Sequence, residues 1–301
     1  MSKVQLSGIF PPIITPFDIS TGAVDYAKLK QNLDKWEQID FRGYVVLGSN
    51  GEFPYLSEEE KLELVRFVRC NTKPTKVVIA GSGCESTRAT IELSAKCVEA
   101  GADAVLIVTP SFFKGRMTQA ALQAHFTQVA NSVKAPVILY NVPGNTGIDM
   151  PAETIIPLVG HPNIIGLKDS SGDILKFYRL YEEAQGRDFQ LLAGSAGYLL
   201  PAFHAGCVGG VCALANCRGA ECVRLHSLFT EGKGSSDEAR KLQTRLILPN
   251  AAVTRKYGVP ALKYMMDKLG YYGGPTRSPL LPLTSTEAAD VEKTFKDAQL
   301  I

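Results

Sequence analysis

Eight short runs of Val, Ile and Leu, separated by longer amphipathic stretches, constrain the fold of this chain more than any other feature. The runs occupy residues 9–15, 44–48, 77–80, 104–109, 137–140, 164–168, 191–193 and 208–214. They are continuous rather than alternating, as expected of parallel strands buried on both faces. Between them, residues 25–38, 57–70, 86–100 and 118–132 carry helical periodicity. Ser57-Glu58-Glu59-Glu60 reads as a capping box, Asp25 and Ser86 stand where N-caps belong, and Gly101 stands where a helix should stop. Strand–helix units recurring at roughly 20–35 residues predict an α/β fold, a (β/α)8 TIM barrel. The rival, a doubly wound open sheet, usually opens with a glycine-rich dinucleotide fingerprint, and none follows the first run. Beyond Ala215 the pattern turns to helix after helix, at residues 219–230, 237–248, 260–269 and 286–298. Residues 1–216 are therefore expected to supply the barrel strands and the catalytic face. Residues 217–301 are expected to supply the last barrel helix and a C-terminal helical extension of the same domain.

A chain of 301 residues, 45% hydrophobic and 21% charged, can bury a full core without staples. The net charge is only +2, spread along the sequence, which argues against a nucleic-acid or membrane face. A small anionic substrate must then be held by local groups. The seven cysteines form no C-x-x-C pair, and the five-residue recurrence of Cys207, Cys212, Cys217 and Cys222 fits neither a metal site nor one helical face. Reduced, mostly buried thiols are expected, with Cys84 partly exposed in a polar turn. Four scattered histidines suggest no metal site, and no cofactor is expected. The first strand-like run begins by Gly8, and no apolar stretch reaches membrane-spanning length. These features read as a soluble intracellular protein without a leader.

In a (β/α)8 barrel, catalytic groups sit at the C-terminal ends of the strands. Here those ends read Gly48-Ser49-Asn50-Gly51-Glu52, Gly81-Ser82-Gly83, Thr109-Pro110, Tyr140 through Pro143, Lys168-Asp169-Ser170 and Gly194-Ser195-Ala196-Gly197. Lys168 closes an apolar run; it is either one more solvated lysine or an amine aimed into the barrel mouth. In the second case burial disfavours the ammonium and favours the neutral nucleophile that condenses with a ketone. The protonated imine so formed accepts the electrons of a breaking C–C bond. Tyr140 is either a core aromatic with a bonded hydroxyl or the group that carries protons between imine intermediates and a substrate hydroxyl. Ser49 and Asn50, together with Gly194 and Ser195, offer hydroxyl and backbone N–H donors suited to a carboxylate. Glu52 reads as structural.

At these strand ends the chain resembles the dihydrodipicolinate synthase and N-acetylneuraminate lyase superfamily of pyruvate-type class I aldolases. The most specific elements are Gly48-Ser49-Asn50-Gly51-Glu52, Tyr140-Asn141-Val142-Pro143 and Gly166-Leu167-Lys168-Asp169. Stretches at 81–87, 192–197, 209–216, 249–255 and 270–275 are most similar to the animal 4-hydroxy-2-oxoglutarate aldolases within it. That resemblance implies cleavage of 4-hydroxy-2-oxoglutarate to pyruvate and glyoxylate. It implies Lys168 as the imine lysine, Tyr140 as the proton shuttle, and Ser49, Asn50, Ser170 and Gly194 as pocket residues for a small 2-oxo acid. It also implies a homotetramer and a mitochondrial matrix location, with a cytoplasmic one as the alternative. Two positions depart from the superfamily. The synthases carry an arginine five residues after the strand-five tyrosine, where it grips a second carboxylate; here the residue is Asn145, and an amide cannot replace a charged bidentate clamp. The usual Tyr-Tyr pair after Thr-Pro of strand four is Phe112-Phe113, which cannot pass a proton: either water or Ser111 completes the relay, or turnover is slow, or the substrate differs. Another pyruvate-releasing lyase, acting on a 2-keto-3-deoxy sugar acid or a sialic acid, and a non-catalytic oxo-acid-binding homologue stand as alternatives.

Overall fold

The computed structural model describes residues 4–301; residues 1–3, part of the segment read above as carrying no leader, lie outside the described residues. Strands β1 (Gly8–Phe10), β2 (Gly43–Val46), β3 (Val77–Gly81), β4 (Ala104–Val108), β5 (Val137–Asn141), β6 (Ile164–Asp169), β7 (Gln190–Ala193) and β8 (Gly209–Val211) form one sheet in the order β1-β8-β7-β6-β5-β4-β3-β2. Every ladder is parallel. The seam between β1 and β2 is closed by Ile13 N donating to Val45 O and Val45 N donating to Pro11 O, both at 3.0 Å. The fold is the expected (β/α)8 barrel. The first strand is shorter than the run at 9–15 because Pro11 and Pro12 bring no N–H to a ladder; past them only a Pro12–Val45 bridge remains.

The strands divide the core into two layers. Phe10, Val45, Ile79, Leu106, Ile138 and Leu192 fill the barrel, while Val78, Val105, Ile107, Leu139 and Leu191 face the helices. The covering helices are α1 (Tyr26–Trp36), α2 (Glu58–Cys70), α3 (Thr87–Glu99), α4 (Gln119–Ser132), the short α5 (Pro143–Thr146) and α6 (Ala152–Ile155), α7 (Ile174–Ala184), α8 (Leu199–His204) and α9 (Ala215–Leu228). The expected caps are present: Asp25 and Ser86 accept from the first turns of α1 and α3, and Ser57 with Glu60 closes a capping box on α2. Each such cap stabilises its helix by about 1 kcal/mol. Cys97, Cys207, Cys212, Cys217 and Cys222 are buried free thiols, and Cys84 is partly exposed.

The C-terminal extension is α10 (Asp237–Ala251), α11 (Gly258–Lys268) and α12 (Ser285–Asp297). α10 does not stop before Pro249, as the sequence suggests, but runs through it to Ala251. Tertiary bonds on both sides of the proline hold it: Gln243 accepts from Leu200 N at 2.7 Å and donates to Ala196 O at 2.9 Å, and Asn250 donates to Ser195 Oγ at 2.8 Å. These bonds all reach the β7–α8 segment, so the extension braces the barrel's C-terminal face. No helix among the described residues is long and apolar enough to cross a membrane.

One buried group should make the fold sensitive to acid. His125 on α4 is 6% exposed; its Nδ1 lies 2.9 Å from Thr87 Oγ1, and its Nε2 has no partner among the described residues. Burial pulls this imidazole down to about 4, against about 6.5 in an unfolded chain. The unfolded state therefore binds the proton more readily. Stability is complete above the unfolded value and lost as pH falls toward the folded one. Between pH 7 and pH 5 this residue should cost about 2 kcal/mol. Urea unfolding of the wild type and of His125→Gln at both pH values checks it: the variant should lose less stability than the wild type on acidification, by about that amount. Equal losses would place the acid sensitivity elsewhere.

Candidate active site

A β-bulge decides which way Lys168 points. β5 and β6 pair Val137 with Ile164 but Ile138 with Gly166, so Ile165 is an extra residue on β6. Without it, Leu167 would lie beside Tyr140 and Lys168 would face the helices. With it, Tyr140 pairs with Lys168, and both side chains enter the barrel. Lys168 is 3% exposed, and its Nζ stands 3.8 Å from the centroid of the Tyr140 ring. A cation held over a ring face is attracted by the ring's quadrupole. Burial would raise the Tyr140 phenol, but the Lys168 charge and hydrogen bonding with Ser49, Lys168 and Ser170 outweigh it and hold the group below its ordinary value. A tyrosine biased this way gives up its proton more readily than a solvated one.

The β2 end supplies the next two candidates. Ser49 and Asn50 lie in a 3-10 turn, Ser49–Gly51, and the Ser49 hydroxyl sits 3.4 Å from Tyr140 Oη. The Asn50 side chain is partly exposed and has no partner among the described residues, leaving its amide open to a ligand. This turn is held from below. Thr15 Oγ1 donates to Gly51 O at 2.7 Å, and Glu52 takes a left-handed conformation at φ 56°. Its carboxylate meets Lys263 Nζ at 2.6 Å and accepts from Arg277 N at 2.8 Å. Lys263 also donates to Thr15 O and Pro275 O, at 2.8 and 2.7 Å. Burial pulls its amine down to about 8 against the attraction of Glu52. Removing one partner of such a fully buried pair strands the other, at about 3–5 kcal/mol. Glu52 is thus held as a brace beneath the turn, and its partner Lys263 is a residue that sequence reasoning missed. The available signal was a lysine among Ala261, Leu262, Met265 and Met266 on the buried face of α11.

Ser170 and Gly194 meet at the ends of β6 and β7. A Cβ at position 194 would lie 2.1 Å from Ser170 Oγ, so only glycine leaves room for that hydroxyl beside Tyr140. Of the two donors expected from this segment, the Gly194 N–H is otherwise engaged. Gly194 N donates to Asp169 O at 2.7 Å, and Ser195 Oγ accepts from Gly197 N at 3.2 Å and from Asn250. The Gly194 N–H is thus taken up by Asp169, while the Ser195 hydroxyl accepts two bonds and keeps its own O–H as a donor. The Thr109 hydroxyl at the end of β4 is buried without a partner among the described residues. It is a further candidate that the sequence did not single out.

At the rim, Phe112 and Phe113 are 78% and 70% exposed and stack edge to face at 5.0 Å. Glu85 anchors them by accepting from Ser111 N and Phe112 N, both at 2.9 Å, and it also takes the Ser111 hydroxyl at 3.3 Å. Ser111 is thereby tied to a carboxylate rather than offered to Tyr140. Asn145 lies exposed on α5. Among the described residues, no group of three or more His, Cys, Asp or Glu side chains is placed to hold a metal ion.

The dihydrodipicolinate synthetase family pattern matches residues 5–298. A 4-hydroxy-tetrahydrodipicolinate synthase of Bartonella quintana is 34% identical over 99% of both chains. A dihydrodipicolinate synthase of Bacillus anthracis superimposes with a TM-score of 0.91 at 32% identity, covering 99% of both chains. The chloride-inhibited dihydrodipicolinate synthase of Acinetobacter baumannii, solved with pyruvate, does so with a TM-score of 0.91 at 27% identity, covering 99% of this chain and 100% of that one. With the barrel closed from end to end and a buried lysine at the tip of β6, this chain belongs to the dihydrodipicolinate synthetase family and is a carbon–carbon lyase of the Schiff-base type.

Proposed function

We propose that Lys168 forms the imine with a 2-oxo acid, that Tyr140 moves the protons, and that the reaction is cleavage of 4-hydroxy-2-oxoglutarate to pyruvate and glyoxylate. The observation that carries the chemistry is the buried Lys168–Tyr140 pair, which the β6 bulge turns into the barrel. The amine adds to the C2 carbonyl and water leaves. Tyr140 takes the proton of the C4 hydroxyl as the C3–C4 bond breaks, and the electron pair moves into the protonated imine. Glyoxylate departs, C3 of the enamine is protonated, and hydrolysis frees pyruvate and the amine. Asn50 and the Ser49 and Ser170 hydroxyls are the groups available to the substrate carboxylate, with Gly194 giving the space.

The relatives above are named as synthases, which supports a pyruvate-handling lyase more directly than this particular substrate. What favours cleavage is Asn145, an exposed amide where the synthases are expected to carry a carboxylate-gripping arginine. Pyruvate release from 4-hydroxy-2-oxoglutarate, from a 2-keto-3-deoxy sugar acid and from a sialic acid, beside pyruvate consumption in the synthase direction, tests the reading. The first should exceed the others in kcat/KM by at least about tenfold, the scale of one net hydrogen bond. A faster sugar acid or synthase reaction would reassign the substrate, and no turnover with any of them would favour the non-catalytic homologue. A homotetramer belongs to the same reading, with the exposed Phe112–Phe113 pair as an apolar contact for a second copy. The mitochondrial location rests on the animal aldolases alone; the bacterial relatives lend it nothing.

A further inference from the structure

Behind the candidate site, on the outer face of the same two strands, lies a closed ring of charge. Asn141 and Asp169 follow Tyr140 and Lys168, pair with each other across β5 and β6, and are both fully buried. Asn141 Nδ2 donates to Asp149 Oδ1 at 2.6 Å and to Asp169 Oδ2 at 3.1 Å. Lys176 Nζ, from α7, donates to the same two oxygens at 2.8 and 3.0 Å. The remaining groups are also engaged: Asp169 Oδ1 accepts from Ser171 N at 2.6 Å, and Asn141 Oδ1 from Met150 N at 3.0 Å. The Asp169 carbonyl receives Gly194 N at 2.7 Å and Tyr198 Oη at 2.9 Å. Lys176 is 4% exposed and shares the buried face of α7 with Phe177 and Leu180. The ring joins β5, β6, α7 and the loop after α5 one residue behind the reacting pair.

We propose that Lys176 is a positioning residue for the imine chemistry: by clamping Asp169 and Asp149 it fixes the end of β6 against β5, and with it the approach of Lys168 to Tyr140. The proposal rests on the imine reading above. Lys176 also neutralises a carboxylate that is otherwise fully buried one residue from Lys168. Without it, the Asp169 carboxylate would keep only the Asn141 amide and the Ser171 N–H, and the β6 end that carries Lys168 would lose its side-chain tie to α7 and Asp149. Displacement of a reacting group by about 1 Å costs on the order of a hundredfold in rate. A clamp of this kind acts on the chemical step and not on substrate affinity.

The test is Lys176→Met, measured for pyruvate release and for the rate at which borohydride traps pyruvate on Lys168. With the fold retained by circular dichroism, kcat should fall about tenfold to a hundredfold and trapping should slow, with KM within about threefold of wild type. Lys176→Arg, which keeps the charge and the donors, should recover part of the loss. Asp149→Ala removes a half-exposed partner and should fold even if Lys176→Met does not; its kcat should fall in the same direction by a smaller factor. A folded Lys176→Met with wild-type kcat and trapping rate overturns the clamp, as does a folded Lys176→Arg that recovers nothing, or an Asp149→Ala of unchanged kcat should Lys176→Met not fold. In those cases trapping on Lys168 in the wild type leaves the imine reading standing. Absence of trapping in the wild type itself overturns both.

Discussion

Replacing Lys168 by alanine should lower kcat/KM for pyruvate release by a factor on the order of 10⁴–10⁶, the scale on which loss of a covalent nucleophile is felt. The size follows from the chemistry assigned to the amine. Without an imine, the electrons of the breaking C–C bond have no sink near C2, and no other group at the strand ends can form one: Tyr140 and the hydroxyls of Ser49 and Ser170 donate or accept protons but cannot make a carbon–nitrogen double bond. The loss should not come from unfolding. Lys168 is stacked on Tyr140 and bonded to no carboxylate among the described residues, so its removal strands no charge; Asp169, its neighbour in sequence, keeps Lys176. The Ala variant should therefore retain its circular dichroism and a Tm within several degrees of wild type, and borohydride with pyruvate should leave it unmodified. Lys168→Arg should be equally inactive, because a guanidinium stays protonated and is not a nucleophile. Turnover near wild type in either variant would refute the imine mechanism.

The barrel was legible because its signal is repeated and local: eight apolar runs, capped helices, and glycine or polar residues at the strand ends. The position of Lys168 at the end of one run was equally plain. What sequence could not supply was phase. Counting alternation along β6 from Ile164 puts Lys168 outside the barrel, and only the extra residue at Ile165, visible as a shift of pairing against β5, brings it in. The buried ions were hidden for a different reason. Lys176 and Lys263 occupy core positions of α7 and α11, yet a lysine in a helical stripe reads by default as a stem with a solvated head. Asp169 lies 7 residues from Lys176, but Glu52 follows β2 while Lys263 lies on α11, so no local motif joins the second pair. The same limit bears on the Gly194 N–H. A strand-end N–H looks available until its bond to the Asp169 carbonyl shows it occupied. Pro249 shows the converse, a local stop signal overruled by side-chain bonds to a distant segment.

Tyr140→Phe isolates the proton path, and it should lower kcat by about 10²–10⁴, the usual worth of a positioned general acid–base group. The substitution keeps the ring that lies 3.8 Å from Lys168 Nζ and removes only a hydroxyl standing 3.4 Å from Ser49 Oγ. Stability should thus change by no more than about 1–2 kcal/mol, and imine trapping with pyruvate should persist, since the amine is untouched. The pH profile adds a second readout. Burial works to raise the phenol, but the Lys168 charge and hydrogen bonding with Ser49, Lys168 and Ser170 prevail and hold it below its ordinary value. The limb of kcat/KM against pH, which reports the free enzyme's groups, should accordingly lie below the value of a free tyrosine. Ser49→Ala removes one of the bonds that favour the phenolate, so that limb should move to higher pH; in Tyr140→Phe it should be absent. Retention of the alkaline limb in Tyr140→Phe, with kcat within about threefold of wild type, would move the proton shuttle away from Tyr140. Thr109, whose buried hydroxyl lacks a partner among the described residues, would then be the next group to replace.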